Sequence, residues 1–273
     1  ATTAPAATAP AATAPASTPA PHAPWRPLRA VTLDLWGTLI DLRDPVGKIE
    51  RRREMLLTAI QAAGHTCDVE QLRAGFRAAQ RIIDEQIAGD RRDVGPPGRW
   101  VELMRQLGFP PESVPFESVT AAYEELTLEF LPKLLDGVGD AIERLASRYQ
   151  LALICNTGYT GGRVLRQVLA KHGVIGYFQT LTFSNEFGWL KPDPRIFHHT
   201  LDILGVEPAH ALHVGDMEEL DVAGARNAGM YSARYLPEGD NDGAITSDAD
   251  LLFFDWSEFV DLIEARQRAA SAE

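Results

Sequence analysis

Two kinds of hydrophobic pattern divide the chain. Ala30 to Leu35 is a short apolar run that stops at Trp36-Gly37-Thr38. It reads as a buried strand that presents a side chain at the edge of a parallel sheet. From residue 44 to residue 133 the period changes. Ile49, Met55, Leu56 and Ile60, then Leu72, Phe76, Ile82, Ile83 and Ile87, recur at helical spacing. Trp100 to Leu107 and Val119 to Leu131 continue it, with breaks at Gly95-Pro96-Pro97-Gly98 and Gly108-Phe109-Pro110-Pro111. This stretch predicts about four helices and no strand.

After Gly137 strands and helices alternate. Strands are expected at Leu151 to Cys155, Phe178 to Phe183, Ala211 to Val214, Tyr231 to Tyr235 and Leu251 to Phe254. Helices are expected at Gly161 to His172, Pro194 to Leu204 and Leu220 to Ala228. Such alternation implies a doubly wound α/β fold, a parallel sheet with right-handed crossovers. The helical stretch interrupts it after the first strand. The simplest organisation is a core of residues 25–43 and 134–273, with residues 44–133 inserted as a helical cap over the carboxyl ends of the strands, where such sheets place their sites.

Composition narrows the function classes. The first 24 residues are Ala, Pro and Thr with one Ser and one His, and this segment reads as a disordered tail. It carries no formal charge, so the net charge of −12 belongs wholly to the body. A strongly acidic body is a poor partner for nucleic acid or an anionic membrane. Two cysteines, Cys67 and Cys155, make neither a disulfide framework nor a four-cysteine zinc site. No stretch of roughly 18 uncharged apolar residues is present, and the N-terminal segment lacks the basic and apolar regions of a signal peptide, so a cytoplasmic location is expected.

Three polar sites fall at strand ends far apart in the chain: Asp34, Asn156-Thr157-Gly158, and Gly215-Asp216 with Asp221 five residues on. Lys191-Pro192 lies between the last two. In a parallel sheet these points converge. Asp34 and Asp216 can hold Mg²⁺, a hard cation suited to oxygen ligands. Lys191 and backbone donors can hold an anion beside it, and the whole can stabilise a transferring phosphoryl group. Asp34 can attack as a carboxylate nucleophile.

These residues resemble the haloacid dehalogenase (HAD) superfamily of hydrolases, in the subgroup with a helical cap after the first strand. The first family motif, Asp-x-Asp-x-Thr, is matched by Asp34-Leu-Trp-Gly-Thr38; the Lys-Pro motif by Lys191-Pro192; and Gly-Asp-x-x-x-x-Asp by Gly215-Asp216-Met-Glu-Glu-Leu-Asp221. The resemblance spans roughly residues 28–255. It implies Asp34 as nucleophile and metal ligand, with the Trp36 backbone carbonyl and Asp216 completing the Mg²⁺ site. It implies Lys191 as the charge-balancing catalytic residue. Asp221 would orient Lys191 or a metal-bound water and belongs with the metal-binding positions. Thr38, Asn156 and Thr157 would fix the first loop and bind phosphate. The implied activity is removal of phosphate from a small, anionic phosphorylated metabolite through an aspartyl-phosphate.

Two positions depart from the family pattern. The second Asp of the first motif, which protonates the leaving oxygen, is Trp36 here. General acid–base help is typically worth about 10²–10⁴-fold. The hydroxyl residue ending the second strand is Cys155, a poor donor. An aromatic residue at position 36 is a feature of the family's 2-haloacid dehalogenases, whereas Asp216 opposes that branch. A non-catalytic binding protein on the same fold is the third reading. Elsewhere, His210 and His213 have zinc-like spacing but no further ligands nearby. Arg51-Arg52-Arg53 reads as a solvated helix face, although Arg from this run, or Arg43, Arg91 or Arg92, suits an anionic substrate. Trp25 reads as a hydrophobic anchor.

Overall fold

The structure is a computed structural model that describes residues 25–43, 45–237 and 246–270. The expected disordered tail, residues 1–24, lies outside the described residues. Six strands form one parallel sheet: β1 (Ala30–Leu33), β2 (Gln150–Cys155), β3 (Phe178–Phe183), β4 (Ala211–Gly215), β5 (Tyr231–Tyr235) and β6 (Leu251–Phe253). Their order is β3-β2-β1-β4-β5-β6. β1 is central, pairing Ala30 with Gln150 on one side and with Ala211 on the other. The chain winds outward to β2 and β3, then returns to the far side of β1. The strand order therefore reverses at β1 and β4, the switch point where α/β sheets open a crevice at the carboxyl end.

Both sheet faces are covered, which explains the continuous apolar strands. On one face Val31, Leu33, Leu153, Leu212 and Val214 pack with α5 (Val138–Ala146), α6 (Gly162–Lys171) and α10 (Trp256–Ala270). On the other, Ala30, Ala152, Ile154 and Ala211 pack with α8 (Pro194–Leu204) and α9 (Ala223–Asn227). Small alanines on that side let α8 approach closely through Ile196 and Phe197. α5 and α10 were not distinguished in the sequence pattern, nor was the single turn α7 (Ser184–Phe187).

Between β1 and α5 the described residues form four α-helices and no sheet strand: α1 (Val46–Ala62), α2 (Val69–Asp90), α3 (Gly95–Gln106) and α4 (Phe116–Glu129). They have a core of their own, including Leu56, Ile60, Leu72, Ala79, Trp100 and Leu103. α2 starts at a capping box in which Asp68 and Gln71 satisfy each other's backbone N–H groups.

Two boundaries differ from the sequence reading. β1 ends at Leu33 because the Asp34 N–H bonds to the Val214 carbonyl and the chain then turns at Gly37, with φ of +77°. The helix expected from Leu220 is a π-turn over Glu218–Val222 followed by the short α9. Trp25 is buried and stacks on Tyr231 with ring centroids 5.0 Å apart, which pins the start of the described chain to β5.

Candidate active site

The reversal of strand order brings Asp34 and Asp216 to adjacent strand ends. Asp34 follows β1 and is 6% exposed. Its Oδ1 accepts a 2.5 Å hydrogen bond from Lys191 Nζ. Thr38 Oγ1 lies 3.5 Å from Asp34 Oδ2 and 3.4 Å from Asp216 Oδ1, between the two carboxylates. The turn at Gly37 allows this approach. A Cβ there would stand 2.6 Å from Asp216 Oδ2, and the positive φ already favours glycine.

Asp221 is held from three sides. Its Oδ1 accepts from Lys191 Nζ at 2.7 Å and pairs with His213 Nε2 at 3.0 Å. Its Oδ2 accepts the Met217 N–H at 3.0 Å. The π-turn folds Asp221 back over Gly215, where a Cβ would fall 2.1 Å from its Cγ. The other His213 nitrogen, Nδ1, meets Thr32 Oγ1 at 2.8 Å. His213 was set aside at the sequence level as a weak zinc candidate. In the fold it buttresses Asp221 from inside the sheet. The signal that marks it is a polar residue inside an otherwise apolar, doubly buried strand.

Lys191 is itself positioned through its backbone. Asn156 Oδ1 accepts the Lys191 N–H at 2.8 Å, and Asn156 Nδ2 donates to the Lys191 carbonyl at 3.0 Å. The Lys191–Pro192 peptide is cis. Thr157 points elsewhere. Its Oγ1 donates to Asp93 Oδ2 at 3.1 Å and its N–H donates to Ser184 Oγ at 2.8 Å. Asp93 Oδ2 also accepts from Ser184 Oγ at 2.5 Å. This cluster ties the loop between α2 and α3 to the core. It is reinforced by the Leu190 N–H on the Arg91 carbonyl and by the Arg92 guanidinium 4.5 Å from the Trp189 ring centre. Neither Asp93 nor Ser184 carried a motif in the sequence.

The charges of the site are unbalanced. One buried ammonium serves Asp34 and Asp221, with Asp216 beside them. Burial favours the neutral acid at Asp34, Lys191 opposes it, and the charges of Asp221 and Asp216 add to it, so the Asp34 carboxyl is pushed up to about 7. Asp216 is raised as well, by burial and then by Asp221. Asp221 goes the other way. Its own burial is outweighed by Lys191 and His213, which hold it below the usual carboxylate range. Lys191 is raised despite burial by the two carboxylates, and burial holds His213 below its ordinary value. The stable arrangement is a Lys191–Asp221 ion pair with Asp34 and Asp216 short of positive charge.

That shortage fits a divalent cation. Asp34, Asp216 and Asp221 each offer an oxygen, all within 4.8 Å of one another, and an all-oxygen donor set suits Mg²⁺. Both Asp221 oxygens are already engaged by Lys191, His213 and the Met217 N–H, so Asp34 and Asp216 are the carboxylates left to face an ion. A cleft of about 550 Å³ lined by Gly37, Arg43, Asp216 and Arg234 borders this cluster on the Asp216 side.

The side chains of the remaining expected residues make no hydrogen bond to this cluster among the described residues. Cys155 is wholly buried in the sheet core, and burial raises its thiol well above the ordinary range. The Trp36 side chain packs against the same core. His210 Nδ1 pairs with the Pro27 carbonyl, far from any second nitrogen ligand set. Arg43 pairs with Asp41 and Arg51 with Glu54, both at the surface.

A family model described as haloacid dehalogenase-like hydrolase matches residues 28–229, and the chain belongs to that family of hydrolases. Among named relatives, it is 31% identical over 212 residues to the human haloacid dehalogenase-like hydrolase domain-containing protein 3, covering 75% of this chain and 80% of the relative. It is 27% identical over 210 residues to glyceraldehyde 3-phosphate phosphatase of Methanopyrus kandleri, covering 76% and 83%. Among solved structures, a 2-haloacid dehalogenase from Pseudomonas syringae superposes with a TM-score of 0.65 at 24% identity, covering 87% of this chain and 99% of that one. That likeness concerns the fold. No helix among the described residues is long and apolar enough to cross a membrane.

Proposed function

We propose that this hydrolase is a Mg²⁺-dependent phosphatase of a small phosphorylated metabolite. The observation that carries the reading is the placement of Lys191 Nζ between Asp34 and Asp221, with Asp216 left beside Asp34 without a compensating cation. A carbon–halogen hydrolase needs no such surplus of carboxylate, because halide leaves without a proton or a metal. The named relative acting on a phosphorylated triose points the same way.

In this reading Asp34, Asp216 and the Trp36 backbone carbonyl hold the ion. When bound, the ion supplies positive charge to the phosphoryl oxygens and to the two carboxylates. The hydrogen bond from Lys191 occupies Asp34 Oδ1 and leaves Oδ2 to attack phosphorus. A bond forms from Oδ2 to phosphorus as the bond from phosphorus to the leaving oxygen breaks. Water then attacks the same phosphorus, releasing phosphate and restoring the Asp34 carboxylate. Lys191 stays charged throughout, held by Asp221, and balances negative charge on the transferring group. Asn156 acts by positioning Lys191, and Asp221 by orienting its ammonium. Helices α1 to α4 serve as the cap that selects substrate. Trp36 has no proton to give, so the leaving alkoxide takes its proton from solvent, and activated esters react fastest.

The test is phosphate release from a panel of phosphorylated metabolites, with Mg²⁺ and with chelator, for the wild-type protein and Asp34→Asn. Release that requires both Mg²⁺ and Asp34 supports the reading. A folded protein silent across the panel, but releasing halide from 2-haloacids, defeats it in favour of the dehalogenase alternative that Trp36 recommends.

A further inference from the structure

The two carboxylates that face the proposed ion are held in different ways. Asp34 accepts a short bond from Lys191. Among the described residues the Asp216 carboxylate meets the Thr38 hydroxyl at 3.4 Å and its own backbone N–H. The first contact is long for a hydrogen bond between oxygens. The second moves with the backbone it belongs to. The position of the Asp216 oxygens is therefore set by the backbone of the turn that leaves β4.

Arg234 straps that backbone to the neighbouring strand. β5 pairs Arg234 with Gly215, the residue before Asp216. Arg234 Nε donates to the Asp216 carbonyl at 3.0 Å, and its Nη1 donates to Glu218 Oε2 at 3.0 Å. Glu218 is fixed in turn. Ser247 Oγ donates to its Oε2 at 2.6 Å, and the Asp248 N–H donates to its Oε1 at 2.8 Å. One planar guanidinium thus bonds two residues of the turn, and its rigid fork holds them in a fixed relation. The Arg234 side chain is 20% exposed, so little water competes for these bonds.

Charge alone would give Arg234 the opposite effect on a metal ion. A cation beside a divalent-metal site repels the incoming ion. Removing it, and leaving Glu218 without that partner, would tighten metal binding if charge were all that mattered. Geometry and electrostatics therefore predict changes of opposite sign.

We infer that Arg234 is a positioning residue for the metal site: by bonding the Asp216 carbonyl and Glu218, it holds the Asp216 carboxylate where a divalent cation needs it. The inference rests on the Mg²⁺-dependent reading of the site and adds to it a residue that acts through Asp216.

Metal binding tests this without turnover. Mg²⁺ is titrated against the substrate-free protein at pH 8, and the rise of Tm with concentration gives an apparent Kd. Arg234→Met is expected to weaken Mg²⁺ binding by about 10-fold, the scale on which losing the support of a metal ligand shows. Arg234→Lys keeps the charge but loses the fork, so its Kd should fall between the two, about threefold weaker than wild type, as for one lost hydrogen bond. A merely structural role would lower the Tm of the metal-free protein and leave the Kd of Arg234→Met unchanged. A purely electrostatic role would tighten its binding. Either result overturns the inference. If Arg234→Met does not fold, Arg234→Lys carries the test, and a wild-type Kd there overturns the inference. Asp216→Asn separates the two possible failures. If it abolishes the Mg²⁺ response while the Arg234 variants bind as wild type does, the metal site stands and the role of Arg234 falls. If the wild-type Tm does not respond to Mg²⁺, the metal-dependent reading and the inference fall together.

Discussion

The Asn156 side chain is bonded to both backbone groups of Lys191, at 2.8 Å to its N–H and 3.0 Å to its carbonyl. An amide that satisfies both groups of one residue fixes that residue's backbone plane, and with it the root of the lysine side chain. Asn156→Ala should lower kcat roughly 10- to 100-fold with little change in Mg²⁺ affinity. Two lost hydrogen bonds at about 1 kcal/mol each would also lower stability by about 2 kcal/mol. Steady-state kinetics and denaturant unfolding check both, and an unchanged kcat would remove Lys191 positioning from the mechanism.

The carboxylate surplus has a consequence for pH. The Asp34 carboxyl is pushed up to about 7 in the fold, above the ordinary carboxylate range near 4, so between those limits the folded state binds more protons than the unfolded state. Stability of the metal-free protein should therefore fall as pH rises from about 4 to about 7, by up to a few kcal/mol from this group. Asp221 has the opposite sign, because its lowered carboxyl stabilises the fold above its unfolded pKa and loses that contribution only as pH falls below it. Mg²⁺ should raise Tm more at pH 8 than at pH 5.5. Thermal unfolding at the two pH values, with Mg²⁺ and with chelator, makes the comparison. An equal shift at both would show that Asp34 does not face the ion.

Gly215 lies where Asp221 folds back over the end of β4, and its missing Cβ would stand 2.1 Å from Asp221 Cγ. Gly215→Ala should displace Asp221 and so break its contacts with Lys191, His213 and the Met217 N–H. The expected loss is at least 100-fold in kcat and about 2–4 kcal/mol in stability, the scale for disrupting a buried charged network. Unfolding and activity measured on the same preparation test whether the two losses occur together.

Asp93 joins the helical segment to the core by accepting from Thr157 Oγ1, Ser184 Oγ and the Gly95 N–H. Asp93→Ala should loosen the contact between residues 91–94 and 188–191 without unfolding the sheet. Hydrogen exchange should speed up at Leu190, whose N–H bonds to the Arg91 carbonyl, and KM should rise more than kcat falls. Unaltered exchange at Leu190 would show that other contacts hold this junction.

Trp36 replaces the proton donor of the first motif and packs against the core instead. Trp36→Asp should accelerate hydrolysis of alkyl phosphates at least 10-fold, toward the 10²–10⁴-fold typical of general acid–base catalysis, and leave p-nitrophenyl phosphate little changed. The ratio of the two rates is the readout. A uniform loss on both substrates would mean that the indole is needed for packing more than the proton is needed for chemistry.

Much of this molecule was legible in the sequence because its strands are buried on both faces. β2 and β4 fall within one residue of where the apolar runs place them, since a run shielded on two sides has few polar interruptions. The four helices α1 to α4 follow from period alone. Asp34 and Asp216, with Asp221 five residues on, were legible as polar residues at the ends of such runs, and Lys191 through its Lys-Pro motif. The sequence by itself thus determined the fold class, the order of its elements and the residues able to carry charge at one sheet edge.

Tertiary structure decided how that charge is shared. Asp34 and Asp221 compete for one lysine, and only the π-turn over Gly215 gives Asp221 the stronger claim. His213, Asp93 and Ser184 carried no motif, because the partners that give them a role lie as far as 181 residues away in the chain. Periodicity reports which side chains leave water. Which polar groups then meet depends on the strand order and on the turns that close over it.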